Sequence, residues 1–375
     1  MNIEKTIPFA VKISLILIYV MDGLTKYIHK YLDYNFLILP NRFLKIVILL
    51  FAVIYVFFVL TKIDKNIYRV YLLLFILFII FFFNNFLYGT NANYLIKYSC
   101  FFLFTPVFFS NIDEFSWARN VSLTMKYLVC INLFFIICGL ITNVELLKTY
   151  YSSRFGCNGL LLTPMQSTYF YISVTMIALK LRDKFFIAIS LISSLLVGTK
   201  ILLGFVVCVG FYFVFVKVKN IRLKTTAIFI LLVSFSTIFL LFFNQKLFKN
   251  IIYNQGILSA VSSHRSDLFN FIWKSLPEIN FNIISGGTNL ENYRVEMDFV
   301  DVLLYFGGMG FFVFLSFFKL LKDVFITNKL ALFYFTIVLF FITIGGNFLY
   351  YPVNTFIFLV TLKTLSYQSY NTPQN

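Results

Sequence analysis

The chain has 375 residues, of which 60% are hydrophobic and 12% are charged, whereas charged residues make up roughly 25% of an average soluble protein. A globular protein with so few charges and 52 phenylalanines could not cover its own surface, which excludes an ordinary soluble enzyme, a disordered chain and a disulfide scaffold. The apolar residues fall in runs of membrane-spanning size. The sequence therefore predicts an all-α, polytopic integral membrane protein whose solvent is the lipid bilayer.

The formal net charge of +16 would suit a nucleic-acid-binding protein if the basic residues were gathered on one polar domain. Instead, the 31 lysines and arginines are spread between the hydrophobic runs. This pattern is typical of loops that set helix orientation and contact anionic lipid headgroups. We expect no nucleic-acid partner.

The apolar runs predict about twelve membrane spans in a single polytopic domain of residues 1–375. Several runs are shorter than the ~20 residues that a straight helix needs to cross the hydrocarbon core. No small-x-small cleavage site follows the first run, so we expect it to remain as an uncleaved span. The predicted spans lie near residues 7–21, 43–60, 70–87, 95–110, 121–142, 164–181, 185–198, 201–216, 225–243, 297–318, 330–345 and 348–364.

The density of lysine and arginine in the short loops predicts the orientation of these spans. The clearest case is the segment 217–224, a short loop with four cations that is expected to face the cytoplasm. Both termini are then cytoplasmic. The segment 244–296 becomes the one large periplasmic loop, and its residues 266–275 are predicted to form a short amphipathic helix at the interface. The other segments expected outside are 22–42, 88–94 and 143–163.

Two basic residues are expected at the outer ends of spans. Arg154 lies in the sequence Tyr-Tyr-Ser-Ser-Arg-Phe-Gly after the fifth span, and Lys200 follows Gly198-Thr in a break between two apolar runs. Each could grip a phosphate or a sugar, or could anchor its segment among lipid headgroups. The Gly-Thr-Lys triplet is not a phosphate-binding P-loop, because the upstream glycine pattern is missing.

The large loop contains the sequence Ser-His264-Arg265-Ser-Asp267. A histidine and an arginine beside an aspartate could orient a sugar hydroxyl and neutralise a phosphate, although a solvated charge cluster is the ordinary alternative. A Gly286-Gly287 pair follows and predicts a flexible backbone with exposed amides.

A fourth cluster, Arg294-Val-Glu296-Met-Asp298-Phe-Val-Asp301, leads into the tenth span. Asp298 and Asp301 are three residues apart, so a helix places them on one face. A carboxylate at the edge of a span needs a cationic partner or a polar cavity. Of the four clusters, this one is the hardest to explain by solvation alone.

The sequence lacks the motifs of metal and nucleotide chemistry: it has no HExxH, Cys/His box, GxSxG or GxGxxG. Because there are only two histidines, and the five cysteines form no CxxC motif, we expect no metal site and no cofactor. Any energy source must then be carried by the substrate or by an ion gradient.

Three segments of the chain share a recognisable order: Leu195-Leu-Val-Gly-Thr-Lys-Ile-Leu-Leu-Gly204, the stretch from His264-Arg265 through Trp273 to Gly286-Gly287, and the stretch from Glu296 to Gly307-Gly-Met-Gly310. In this order they resemble the O-antigen polymerase and ligase superfamily, in particular the Wzy-type polysaccharide polymerases of bacterial inner membranes. The ligases begin the third segment with His-Asn-like residues, whereas this chain has Glu296-Met-Asp298 there, which favours a polymerase.

The resemblance implies glycosyl transfer at the periplasmic face of the inner membrane. A sugar hydroxyl of one undecaprenyl-pyrophosphate-linked repeat unit attacks the anomeric carbon of the growing glycan, undecaprenyl pyrophosphate leaves, and O-antigen or capsular polysaccharide results. A chain-length regulator and a flippase of the same pathway would be partners. The implied site consists of Arg154, Lys200, Arg265 and Arg294 as pyrophosphate ligands and of Glu296, His264 or Asp298 as the base.

Other functions stay open. An O-antigen ligase-like transferase would use the same donor. A lipid-linked oligosaccharide flippase or another carrier predicts charged residues deep in many spans and small outer loops, whereas the ionisable groups here cluster at the outer surface. A cytoplasmic-side acyl or isoprenyl transferase predicts charged motifs inside, where this sequence has short basic runs without acidic pairs.

Overall fold

The computed structural model describes residues 3–31, 40, 46–50, 52–54, 64–109, 114–150, 154–279 and 281–367. The regular structure of these residues is helical, apart from two isolated bridges that join Lys148 to Cys157 and Asn282 to Gly286. The main helices are α1 (Ile3–Tyr31), α2 (Lys65–Tyr88), α3 (Ala92–Phe109), α4 (Glu114–Thr142), α5 (Pro164–Leu181), α6 (Lys184–Val197), α7 (Lys200–Lys217), α8 (Ile221–Phe243), α9 (Lys246–Gln255), α10 (Ile257–Ser262), α11 (Arg265–Ser275), α12 (Asp298–Phe325), α13 (Lys329–Gly345) and α14 (Pro352–Ser366).

Several helices have the length and composition that a membrane crossing needs. Four qualify among the described residues, namely Thr6–Tyr31, Lys65–Tyr88, Glu114–Thr142 and Asp298–Phe325, and α6, α7, α13 and α14 are shorter apolar helices. The all-α prediction is confirmed for this part of the chain, and these helices support a membrane-embedded protein. The count of twelve spans stays a prediction, and the span predicted near 43–60 falls largely outside the described residues.

The core of the protein is built around α14, which packs against α3 and α5. Most residues of α14 are buried, including the polar residues Asn354, Thr355 and Thr361. The ring of Phe101 on α3 meets Phe317, Phe348 and Phe358 edge-on, with ring centroids 4.8 to 5.9 Å apart, a geometry that aromatic pairs favour. This packing fixes the turn 346–351, which leads into α14 and forms one side of the site described below.

Helix α12 is broken at Gly307, where φ is 67°. The break leaves backbone groups of α12 without hydrogen-bond partners inside the helix, and the segment 283–288 supplies partners for them. Gly308 N donates to Ile283 O at 2.8 Å, and Tyr305 O accepts from Gly287 N at 3.1 Å. A side chain at Gly307 would lie 2.3 Å from Ile284 O, so glycine is required there. The prediction of exposed amides at Gly286-Gly287 is therefore wrong, because both glycines are buried against this break.

Candidate functional site

A cavity of about 420 Å³ lies where α5, α7, α8 and α13 meet the loops that precede α11, α12 and α14. Four residues that the sequence analysis singled out line it: Arg154, Lys200, Arg265 and Glu296. They come from four separate segments of the chain. The rest of the wall is mainly apolar and includes Ile201, Leu203, Phe235, Phe243, Phe341 and Ile344.

Lys200 reaches the cavity because α6 and α7 are joined by a tight break. Gly198 ends α6 with φ at 70°, and the Thr199 hydroxyl caps α7 by accepting from Leu202 N. The Lys200 ammonium donates to the carbonyl of Ala260 and, at 2.9 Å, to Ser263 Oγ. Lys200 therefore brings its amine to the cavity and also holds the C-terminal end of α10 in place.

Arg154 is carried by a segment that docks on the C-terminal end of α6. Cys157 N donates to Leu196 O at 3.0 Å, and the Thr149 hydroxyl donates to Val197 O at 2.7 Å. The Arg154 guanidinium carbon lies 3.8 Å from the centroid of the Tyr150 ring, an arrangement that favours the cation. Burial raises the pKa of Tyr150, and the positive charge of Arg154 opposes that shift. Tyr150 therefore enters the cavity as a neutral phenol beside a fixed cation.

Arg265 is the first residue of α11 and is buried, with Nη2 3.5 Å from Glu296 Oε2. Its Nε has no hydrogen-bond partner among the described residues. A buried guanidinium with a donor to spare is suited to bind an anion in the cavity. A helix is present where one was predicted at 266–275, namely α11, and its N-cap position is His264, whose side chain makes no cap bond.

Glu296 has an unusual backbone conformation, with φ at 63°. A non-glycine residue with positive φ is uncommon and is held there by its surroundings. Here the turn at Gly346 packs directly against the backbone of Glu296. The contact is so close that a side chain at Gly346 would lie 1.6 Å from Glu296 O. The carboxylate of Glu296 remains 46% exposed, and Oε2 accepts a hydrogen bond from Asn347 Nδ2 at 3.3 Å. The base candidate is thus anchored by its backbone and open at its side chain.

Arg294 lies behind the cavity and does not line it. Its Nη2 donates to Asn347 Oδ1, its Nε is 3.5 Å from Asp301 Oδ2, and its guanidinium carbon is 3.5 Å from the centroid of the Tyr350 ring. Burial lowers the pKa of Arg294, but Asp301, Tyr98, Tyr350 and Glu296 together outweigh burial, and the pKa is raised on balance. Arg294 is therefore a fixed cation that orients its neighbours.

Asp298 is also outside the cavity lining and is completely buried. Its two carboxylate oxygens accept from the backbone amides of Phe348 at 2.7 Å and Leu349 at 3.2 Å. Asp301 shares this buried face, as its spacing predicts, and accepts from Val295 N at 2.9 Å. Asp298 thus stabilises the turn before α14, and Asp301 stabilises the loop that contains Glu296.

His264 does not line the cavity. Its backbone φ is 65°, its side chain is 45% exposed, and Nδ1 is 3.5 Å from Asp267 Oδ2. It lines a separate cleft and not the cavity that contains Glu296. The structure therefore separates the three predicted base candidates, and only Glu296 faces the cavity.

Asn347 is the site residue that the sequence analysis missed. Its side chain bridges Arg294 and Glu296, and it lines the cavity. The signal was present in the Gly345-Gly-Asn sequence, which interrupts two apolar runs. Hydropathy marks that interruption as a turn but does not indicate which side chains the turn contacts.

Within the part of the chain that the structure describes, the cavity combines two guanidinium groups, the Lys200 amine and one carboxylate with an apolar wall, which suits an anionic lipid headgroup and a hydroxyl that loses its proton. Among the described residues, no group of three or more His, Cys, Asp or Glu side chains could hold a metal ion. Comparisons with protein-family profiles, with curated proteins and with solved structures give no match to this chain.

Proposed function

We propose that this chain is a Wzy-type membrane glycosyltransferase. It joins undecaprenyl-pyrophosphate-linked oligosaccharide repeat units into O-antigen or capsular polysaccharide. The observation that carries the proposal is the convergence of Arg154, Lys200, Arg265 and Glu296 on one cavity with an apolar wall. A polyprenyl pyrophosphate has the complementary chemistry, because its head is a compact anion and its tail is a hydrocarbon.

In this proposal the two arginines bind the pyrophosphate of the donor. Negative charge develops on the pyrophosphate oxygen as the bond to the anomeric carbon breaks, and fixed guanidinium groups stabilise it there. Arg265 has a buried Nε without a partner among the described residues, and Arg154 lines the same cavity on a docked segment. Lys200 contributes a hydrogen-bond donor, and its bonds to Ala260 and Ser263 keep the 260–265 segment in position.

Glu296 acts as the base. The hydroxyl oxygen of the acceptor sugar forms a bond to the anomeric carbon of the donor, the bond from that carbon to pyrophosphate breaks, and the hydroxyl proton moves to the Glu296 carboxylate. Undecaprenyl pyrophosphate leaves with the electron pair. The donor is already activated by its pyrophosphate, so the reaction balances without a nucleotide or a metal ion.

The finer architecture belongs to the same proposal. The chain crosses the bacterial inner membrane about twelve times with both termini in the cytoplasm, and 244–296 is a periplasmic loop. The cavity residues then meet the lipid-linked substrates on the periplasmic side, where a flippase delivers them. A chain-length regulator is the expected partner for the polymer product.

The test is a gel profile of surface polysaccharide from cells that carry Glu296→Gln in place of the wild-type protein. We expect the ladder to collapse to a single repeat unit, with the protein retained in the membrane in normal amount. If the protein were a ligase, its inactivation would instead cause loss of all surface glycan while polymer accumulates on undecaprenol. If it were a carrier, its inactivation would leave lipid-linked units on the cytoplasmic side. A wild-type ladder from Glu296→Gln would contradict the proposed role of the carboxylate.

A further inference from the structure

A second cleft of about 380 Å³ adjoins the cavity, and the two share Arg154 and Ser263 in their linings. We name it the side cleft. Its volume falls within the range of roughly 300–1,000 Å³ that small-molecule sites occupy. The remaining residues of its lining are Phe248, Asn250, Ile251, Asn254 and His264.

Helix α9 presents two amides to the side cleft. Asn250 and Asn254 are four residues apart, so they lie on one face of α9, and both are exposed. Phe248, which also lines the side cleft, is buried against Phe243 with ring centroids 5.3 Å apart. The helix is therefore anchored by its aromatic residue and leaves its two amides for a ligand.

His264 completes the polar lining from the other side. Because Nδ1 faces Asp267, Nε2 is the ring nitrogen that a ligand in the side cleft can reach. Among the described residues, the polar groups of the lining are amides, an imidazole, a hydroxyl and one guanidinium, without a carboxylate. Sugar hydroxyls both donate and accept, and amide and imidazole groups match that combination. The hydrocarbon tail of a lipid would find a better environment against the apolar wall of the cavity.

We propose that the side cleft is a saccharide subsite, in which Asn250, Asn254 and His264 hydrogen-bond a sugar of the repeat unit. This inference rests on the proposed function. Arg154 lies at the junction, so a sugar in the side cleft and an anion in the cavity are neighbours, as the two parts of one glycosyl pyrophosphate must be. His264 is then a sugar-binding residue, and the base is Glu296 alone.

Protection from labelling tests the subsite directly. In Asn254→Cys protein in detergent, a maleimide reagent should react with the new thiol, and the oligosaccharide released by mild acid from the host's lipid-linked repeat unit should slow that reaction. Asn270→Cys is the matched control, because Asn270 is exposed on α11 and does not line the side cleft. The proposal predicts protection at Asn254→Cys only. Absence of protection, equal protection at both positions, or protection by undecaprenyl pyrophosphate alone would overturn it.

A kinetic measurement supplies an independent readout. In proteoliposomes with the lipid-linked repeat unit as substrate, the double variant Asn250→Leu with Asn254→Leu should raise KM roughly tenfold, as expected for the loss of two neutral hydrogen bonds, and should leave kcat unchanged. Asn270→Leu should change neither constant. An unchanged KM in the double variant would overturn the subsite. Failure of the polymerase assignment is recognised separately, by a wild-type ladder from Glu296→Gln, and would not remove the protection by free oligosaccharide.

Discussion

Asn347 Nδ2 donates to Glu296 Oε2 at 3.3 Å, while Oδ1 of the same amide accepts from Arg294. A guanidinium has only donors, so the amide oxygen must face Arg294, and the amide nitrogen must then face Glu296. The two hydrogen-bond partners therefore fix the orientation of the Asn347 amide. Arg294 therefore positions the proposed base through Asn347.

Two substitutions at Asn347 test this relay. Asn347→Leu should lower turnover roughly 10- to 30-fold, because Glu296 loses the donor that orients it. Asn347→Asp should be at least as damaging, because it retains a partner for Arg294 but puts a second carboxylate beside Glu296. Polymer yield per unit of membrane protein is the measurement. Asn292→Leu, at an exposed loop position, is the matched control. Normal turnover in Asn347→Asp would contradict the relay.

Removal of either arginine from the cavity should abolish the polymer. Arg265→Ala and Arg154→Ala each remove a charge-assisted hydrogen bond to pyrophosphate in a partly dry site, which costs about 2–4 kcal/mol, or a roughly 30- to 1,000-fold loss of rate. Lysine at either position should restore little, because an ammonium cannot make the forked contact of a guanidinium. The readout is the ladder on a gel.

Arg222→Ala is the control for these arginine variants, because Arg222 lies near the start of α8 and does not line the cavity. It should give a wild-type ladder. If Arg265→Ala and Arg154→Ala also give one, both arginines serve as structural anchors only.

Glu296 and Asp298 should respond differently to the same chemical change. Glu296→Gln should remove activity and leave the amount of protein in the membrane unchanged, because its carboxylate is half-exposed in the cavity. Asp298→Asn should lower the thermal stability of the purified protein, because an amide has one oxygen where the carboxylate has two for the amides of Phe348 and Leu349. Loss of one buried acceptor costs about 1–3 kcal/mol. A stable but inactive Asp298→Asn would move the base to Asp298.

The helices were largely predictable from hydropathy, and the breaks between them were predictable from small residues. The Gly198-Thr-Lys break predicted a tight connection, and the structure has one there, with Thr199 as the N-cap of α7. The spacing of Asp298 and Asp301 predicted a shared face. It did not predict which way that face points, because the turn 346–349 that it contacts is distant in the sequence.

It was harder to predict which residues share one cavity than to pick out the individual candidates. Arg154 and Arg265 could be picked out as charges near spans, but their approach to one cavity depends on where α6 ends and where α11 begins in space. The role of Asn347 was invisible for a different reason. An amide in a Gly-Gly-Asn turn looks like ordinary turn chemistry unless both of its hydrogen-bond partners are known.

The orientation can be tested at two exposed positions. Tyr253 on α9 is 92% exposed, and Asn220 is exposed in the short loop between α7 and α8. Tyr253→Cys should react with an impermeant maleimide added to intact cells whose outer membrane has been opened. Asn220→Cys should react only after the inner membrane is permeabilised, because four cations in the segment 217–224 favour the cytoplasm. The reverse pattern would place the cavity residues on the wrong side for periplasmic substrates.

Lys26 on α1 is a buried lysine, only 4% exposed. Its ammonium donates to Asn158 Oδ1 at 2.6 Å and to Gly159 O at 2.8 Å, so it fastens the segment that follows Arg154 to α1. Lys26→Met should leave these two neutral acceptors buried without their donor, which costs about 1–3 kcal/mol.

Two measurements follow from this contact. The midpoint of thermal unfolding should fall, and the buried Cys157 thiol, one residue before Asn158, should react faster with maleimide as the segment loosens. Lys30→Met is the control: Lys30 pairs with Glu145 at the surface, and an exposed pair of that kind is worth about 0–1 kcal/mol, so both readouts should barely change. Slow labelling of Cys157 in Lys26→Met, equal to that in the wild type, would mean that the docking of the segment on α6 is sufficient to hold Arg154 in the cavity.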